Sequence, residues 1–257
     1  MITAGVKQKV QDALRKRGLS IQREFGSDLD PQTVDTIERV RPYTMTTVER
    51  VAAVCQATEY ILRYDIPGAF VESGVWMGGS SMAAATTLVK NGVTDREIFM
   101  YDTYEGLPEP GVEDAVIGSD HQSLKKWYDA ENSRPGTAPW LEAPVDQVRE
   151  HMRSTGYDID RVHLIQGMVE DTIPATAPEQ IAFLRLDTDW YASTKVELEN
   201  LFPRLSPGGI LIVDDYGYTT GARKAVDEFL ATYPDPIFLN RIDSCGRLVV
   251  KPGLASS

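Results

Sequence analysis

Four short apolar runs each close on a carboxylate or a glycine turn, and that pattern leaves few folds open. Phe70-Val-Glu-Ser-Gly74 runs into a glycine-rich turn, and Ile98-Phe-Met-Tyr-Asp102 ends in an acid. Ile181-Ala-Phe-Leu-Arg-Leu-Asp187 ends in another, and Gly209-Ile-Leu-Ile-Val-Asp-Asp215 ends in two. These runs read as strands, with stretches of helical periodicity between them. Strand and helix in alternation give a parallel sheet, because parallel neighbours need crossover connections. All the strand ends then lie at one edge, where ligands bind in such sheets. Acids far apart in sequence are thereby gathered around one pocket.

Along the chain, Val6, Val10 and Leu14 mark a short amphipathic helix over 5–17, able to pack on the domain or on a second subunit. Asp30-Pro31 starts a helix, with the acid as N-cap and proline at the first helical position, and Arg41-Pro42 ends it. A further helix covers 46–63. The alternating part follows: strand 69–73, helix 79–90, strand 97–101, a helix opened by Pro144 and stopped by Gly156, and strand 162–165. Strand 181–186, helix 191–202, strand 209–213 and helix 219–231 come next. A closing hairpin of Ile237-Phe-Leu and Leu248-Val-Val250 puts one antiparallel strand in the sheet. Residues 103–143 are rich in Gly, Pro and charge, with weak periodicity, and form an insert of the lid or binding-loop kind. The expected fold is α/β: a doubly wound, mainly parallel sheet of seven strands. An N-terminal helical segment (1–64) precedes the sheet domain (65–257).

A net charge of -12 repels nucleic-acid backbones and anionic membranes, so neither is an expected partner. No apolar run approaches the ~20 residues that span a bilayer. The N-terminus lacks the apolar core of a secretion signal, and a cytoplasmic location is expected. Two cysteines, Cys55 and Cys245, make neither a disulfide framework nor a thiolate zinc site.

Three groupings carry chemistry. In Glu72-Ser-Gly74-Val-Trp76-Met-Gly78-Gly79-Ser80 a strand enters a turn whose glycines let a ligand approach the backbone. The first turn of the next helix, with Ser80 and Ser81, offers free N–H groups. The Gly74-x-x-x-Gly78 spacing is not the G-x-G-x-x-G of many dinucleotide sites. Asp102 ends the next strand, where an acid accepts the ribose hydroxyls of a nucleoside; this suits a nicotinamide cofactor and S-adenosylmethionine alike. Asp187, Asp214 and Asp215 repel one another at one sheet edge unless a cation or proton compensates them. Oxygen-only ligands favour a hard dication such as Mg²⁺. Asp189 reads as the cap of the following helix. Of the histidines, His151 and His163 fall inside regular elements, and His121, in the insert, is a candidate general base.

The segments Val71-Glu-Ser-Gly-Val-Trp-Met-Gly-Gly-Ser80, Tyr101-Asp-Thr-Tyr-Glu-Gly106, Leu184-Arg-Leu-Asp-Thr-Asp-Trp-Tyr-Ala-Ser-Thr194 and Arg204-Leu-Ser-Pro-Gly-Gly-Ile-Leu-Ile-Val-Asp-Asp-Tyr216 together resemble one family. It is the macrocin/mycinamicin/novobiocin sugar O-methyltransferases of antibiotic biosynthesis, a class I S-adenosylmethionine-dependent group, and the likeness runs from about Tyr43 to Val250. The resemblance implies that Glu72 and Gly74, with Trp76, Ser80 and Ser81 in the same turn, hold the amino-acid end of S-adenosylmethionine, and Asp102 its ribose. It implies that Thr44 and Met45 close over the cofactor. Gly167 and Met168 would lie beside adenine, where relatives often carry Pro-Gly-Trp. Asp187, Asp214 and Asp215 match the family's metal ligands, and the insert should select the acceptor. The acceptor is a small deoxysugar, nucleotide-linked or attached to an aglycone. Coordination would lower the pKa of the sugar hydroxyl, with Asp187 receiving the proton and His121 the alternative. A homo-oligomer assembled through the N-terminal helices is expected. The competing readings are a nicotinamide-dependent oxidoreductase, a metal-dependent phosphoester hydrolase and a non-catalytic nucleotide-sugar binding protein.

Overall fold

The computed structural model describes residue 26 and residues 28–133, 139–233 and 236–253. The helix expected over 5–17 lies outside the described residues. α1 (Pro31–Val40) begins at Asp30, whose carboxylate accepts the N–H groups of Gln32 and Thr33 at 2.8 and 3.0 Å. α2 (Val48–Arg63) is capped by the Thr47 hydroxyl. The alternation then runs β1 (Ala69–Ser73), α3 (Gly79–Lys90), β2 (Ile98–Asp102), α4 (His121–Asn132), α5 (Val145–Ser154) and β3 (Val162–Gln166). It continues α6 (Val169–Thr176), β4 (Ile181–Leu186), α7 (Tyr191–Leu201), β5 (Leu205–Val213), α8 (Thr220–Ala231), β6 (Asn240–Arg241) and β7 (Arg247–Val250). Among the described residues no helix is long and apolar enough to cross a membrane.

Seven strands form one sheet in the order β3-β2-β1-β4-β5-β7-β6, and β7 runs antiparallel to both of its neighbours. The doubly wound α/β sheet expected from the sequence is therefore present. Alternate residues of each strand feed opposite layers, as the two-residue pleat demands. Phe70, Met100 and Ile212 pack with α2, α3 and α5 on one side, through Cys55, Met82 and Val148. Val71, Tyr101 and Leu211 pack with α6, α7 and α8 on the other, through Ile173, Leu198 and Val226. Full burial of one such aliphatic side chain contributes roughly 1.5–3 kcal/mol.

Two elements escaped the sequence reading. α4 lies inside the segment read as an irregular insert; it buries only Leu124, so it carries no apolar stripe to announce it. α6 has Pro174 within it and buries only Val169 and Ile173. At the C-terminus Ile237-Phe-Leu is not a strand, and β7 pairs instead with the two residues of β6. β5 starts at Leu205, four residues before the expected strand, because Leu205 pairs with Ile181 across a register shift.

The strand order reverses between β1 and β4, since the chain winds outward from β1 through β2 to β3 and then returns to β4 on the other side. A crevice opens outside the carboxyl ends of strands at such a point. Gly74 and Asp187 are the first residues past those two strands.

Candidate active site

At Gly74 the backbone turns with φ +77°, and an added Cβ would stand 1.9 Å from the Asp187 carbonyl oxygen. Only glycine fits a left-handed turn against that neighbour. The next helix begins equally tightly, since a Cβ on Gly79 would meet the Tyr43 carbonyl oxygen at 2.5 Å. The 43–44 backbone thus lies directly on the glycine turn.

Asp102 fastens this turn from the neighbouring strand. Its Oδ2 accepts the N–H groups of Val75 and Trp76 at 2.6 and 2.9 Å, and its Oδ1 accepts the Tyr104 N–H at 2.7 Å. Glu72 is buried beneath it. One of its oxygens accepts both the N–H and the hydroxyl of Ser81, and the other faces Arg185 Nη1 at 2.6 Å. Burial pushes the Glu72 carboxyl up, against the pull of Arg185 and the Ser81 hydroxyl.

Oxygens of Asp187, Asp214 and Asp215 lie within 4.8 Å of one another. Two guanidinium groups compensate part of their charge. Arg185 Nη2 stands 2.8 Å from both Asp187 Oδ2 and Asp214 Oδ1. Arg50 joins Asp214 Oδ2 to Asp243, the latter at 3.0 Å. The Thr46 hydroxyl also donates to Asp214, at 3.3 Å. Asp215 Oδ2 is buried with no hydrogen-bond partner. Desolvation and then the neighbouring carboxylates raise the Asp215 carboxyl far above its usual range. Desolvation lifts Asp187 to about 7, with Arg185 opposing and Asp214 and Glu72 adding to the rise. Excess negative charge, oxygen donors alone and an unsatisfied buried oxygen fit a hard dication.

Asp189 does not cap α7. Its φ is +63°, a conformation L residues rarely hold, and no hydrogen bond to its carboxylate is present among the described residues. The Tyr191 N–H at the start of α7 goes at 2.8 Å to Asp114 of the insert. Desolvation, then Asp187 and Asp214, push the Asp189 carboxyl well up.

The insert is docked rather than loose. Ile117 N–H donates to the Tyr218 carbonyl at 2.9 Å, Thr220 N–H to the Ala115 carbonyl at 2.8 Å, and the Trp190 indole to the Pro108 carbonyl at 2.8 Å. Its far end turns Trp127 and Trp140 edge to face, with ring centroids 5.6 Å apart, over the crevice.

These parts enclose one cavity of about 1020 Å³. Thr44, Met45, Glu72, Gly74, Trp76 and Ser80 line one end. Asp102, Gly167, Met168, Asp187, Asp214 and Asp215 line it as well. Two expected site residues do not. Ser81 is buried behind the wall with its hydroxyl on Glu72, and His121 opens α4 with Nδ1 3.1 Å from the Asp114 carbonyl oxygen. Arg185 and Arg50 were missed by the sequence reading and Asp189 was read as a cap, although all three line the cavity. One signal was available: Arg185 is the single charge in an otherwise apolar run, and a buried charge demands partners.

The comparisons with known proteins agree with this geometry. The model of the family described as Macrocin-O-methyltransferase (TylF) matches residues 4–249. The chain is 34% identical over 221 residues, 85% of this chain and 79% of the other, to the 8-demethyl-8-(2,3-dimethoxy-alpha-L-rhamnosyl)-tetracenomycin-C 4'-O-methyltransferase of Streptomyces olivaceus. It is 33% identical to the demethyldecarbamoylnovobiocin O-methyltransferase of Streptomyces niveus, over 79% of this chain and 74% of that one. Among solved structures it is similar to the O-methyltransferase NovP, with TM-score 0.70, 30% identity and coverage of 82% and 83% of the two chains. The calicheamicin methyltransferase CalS11 superposes with TM-score 0.59 over 97% of this chain and 94% of that one; at 18% identity it speaks for the fold alone. Oxidoreductase, phosphoester hydrolase and passive binding readings fall away on this ground. The chain belongs to the TylF family of macrocin O-methyltransferases and is an S-adenosylmethionine-dependent O-methyltransferase.

Proposed function

We propose that the enzyme methylates a hydroxyl of a deoxysugar already attached to an apolar aglycone, in antibiotic biosynthesis, with a divalent cation, Mg²⁺ by its donor set. One observation carries the reading: a single cavity joins the Glu72–Gly78 turn and Asp102 to the three converging carboxylates. Glu72, Gly74, Trp76, Ser80 and Asp102, under the Thr44–Met45 segment, would hold the methyl donor, with Gly167 and Met168 toward its adenine. Ser81 acts through Glu72. Asp187, Asp214 and Asp215 would hold the cation. Bound there, it would supply Lewis acidity toward the acceptor hydroxyl and lower its pKa.

The transfer forms one C–O bond, breaks one C–S bond and releases the hydroxyl proton, leaving a neutral thioether. Asp187 is already paired with Arg185, and His121 does not line the cavity. Asp189 lines it, with no hydrogen bond to its carboxylate among the described residues. Asp189 takes the proton. It stays close to Asp187, so the two carboxylates share the task electrostatically.

The lining supports an aglycone-linked acceptor. Beyond the residues given to the methyl donor, exposed Val112, Trp127 and Tyr218 all face this cavity. Its basic lining residues among those described, Arg50 and Arg185, are both bound to acids. Lys125 of the insert is paired with Glu109 and Asp129. A diphosphate would meet Glu109, Glu113 and Glu170 instead. We place the enzyme in the cytoplasm as a homo-oligomer joined through its N-terminal segment. Methyl transfer to rhamnosylated aglycones and to nucleotide diphosphate rhamnose, read by mass spectrometry, tests the proposal. Turnover is expected with the glycoside; turnover with the nucleotide sugar alone contradicts the lining argument.

A further inference from the structure

Arg185 stands between the two halves of the cavity. It is 2% exposed, so water does not share its charge. Nη1 points to Glu72 on the donor side, at 2.6 Å, and Nη2 to Asp187 and Asp214 on the cation side, at 2.8 Å each. Its Nε is buried without a partner, so the whole interaction is delivered through the two ends of the fork. Two of the three acids are held on their far side as well, while Asp187 keeps a side chain 29% exposed. The second oxygen of Glu72 is held by Ser81, and the second oxygen of Asp214 by Arg50 and Thr46. A guanidinium does not deprotonate in a protein, so one positive charge is divided among three carboxylates, Glu72 on one side and Asp187 and Asp214 on the other.

We propose that Arg185 couples the two ligands of this site, so that a dication at Asp187, Asp214 and Asp215 and a methyl donor at Glu72 each weaken the other's binding. The inference rests on the assignment of those two subsites given above. A cation that neutralises Asp187 and Asp214 leaves the guanidinium bearing on Glu72 alone. The Glu72 charge is then cancelled for an incoming ammonium. The converse holds when the ammonium arrives first, because such coupling is reciprocal by thermodynamic necessity. Arg185 is in these terms a positioning residue: it acts through Glu72 and the aspartates, without touching the reacting atoms.

Calorimetric titration of the full chain with S-adenosylhomocysteine, with and without saturating Mg²⁺, and with Mg²⁺, with and without S-adenosylhomocysteine, tests it. Each Kd is expected to rise by the same factor, about fivefold. In Glu72→Gln, which keeps the shape and removes the charge, both ligands bind more independently and the factor falls toward one. Arg185→Met should do the same, and the Glu72 variant serves if that one does not fold. Two ligands that bind the parent with no mutual effect overturn the coupling, as does an undiminished factor in Glu72→Gln. S-adenosylhomocysteine binding with no Mg²⁺ binding at all overturns the cation subsite itself, and the coupling with it.

Discussion

Asp102 has a structural part that is on view and a ligand part that is proposed. Its carboxylate already accepts three backbone N–H groups, two of them from the glycine turn. Asp102→Ala should therefore raise the Kd of S-adenosylhomocysteine about tenfold or more, and also lower stability by about 2 kcal/mol in urea melts, because it strands donors that Asp102 now satisfies. An unchanged Kd by calorimetry removes Asp102 from the donor site. Glu197 gives a pH signature. It is fully buried on α7, with its Oε2 3.1 Å from the Thr188 hydroxyl and its Oε1 unpartnered. Burial pushes its carboxyl up to about 8. Between about 4.3, the unfolded value, and about 8, the folded chain keeps a proton that the unfolded chain has lost. Its contribution to stability is thus complete below that window and is lost as pH rises through it. Glu197→Gln should be more stable than the parent by on the order of 2–4 kcal/mol at about pH 9, and nearly equal to it at about pH 4. Equal stabilities at both pH values contradict the assignment. At this scale the sequence disclosed the acids, because Asp214-Asp215 and Asp187 close apolar runs. It hid Arg50, whose partner Asp214 lies more than a hundred residues away, and it gave Asp189 as a cap because the backbone angle that turns it from α7 leaves no mark in the sequence.

Among the elements, strands and long helices were legible because burial on one or both faces writes a period into the sequence. α4 and α6 bury one or two side chains each, so their formation depends on docking and leaves little pattern. The insert shows what that docking consists of. Asp114, 1% exposed, binds the Gly111 N–H at 2.8 Å and reaches across to the Tyr191 N–H at the start of α7. This ties the acceptor wall to the loop that carries Asp187 and Asp189. Asp114→Ala should cost about 3 kcal/mol in denaturant unfolding and reduce kcat as that loop relaxes. Unchanged stability and kcat would show the insert to be independent of the site. Trp127 has a different part. It is half-exposed, stacks edge-on to Trp140 and faces the cavity. Trp127→Ala should raise KM for an aglycone glycoside about tenfold while kcat stays within about twofold, the pattern of lost uniform binding. A loss confined to kcat would place Trp127 in the chemistry instead.

The whole molecule is a twisted sheet whose order reverses between β1 and β4, and that reversal decides where chemistry can happen. The glycine turn follows one of these strands and Asp187 the other, so the proposed donor and cation subsites adjoin by topology rather than by local sequence. The proposed acceptor wall was the least legible part, since the insert has few buried side chains. Methyl transfer by the full chain from S-adenosylmethionine to a rhamnosylated aglycone, with EDTA in excess and then with Mg²⁺ restored, tests the central claim most directly. The account predicts turnover abolished by EDTA, recovered with Mg²⁺, and absent in Asp215→Asn under both conditions; undiminished turnover in EDTA would contradict it.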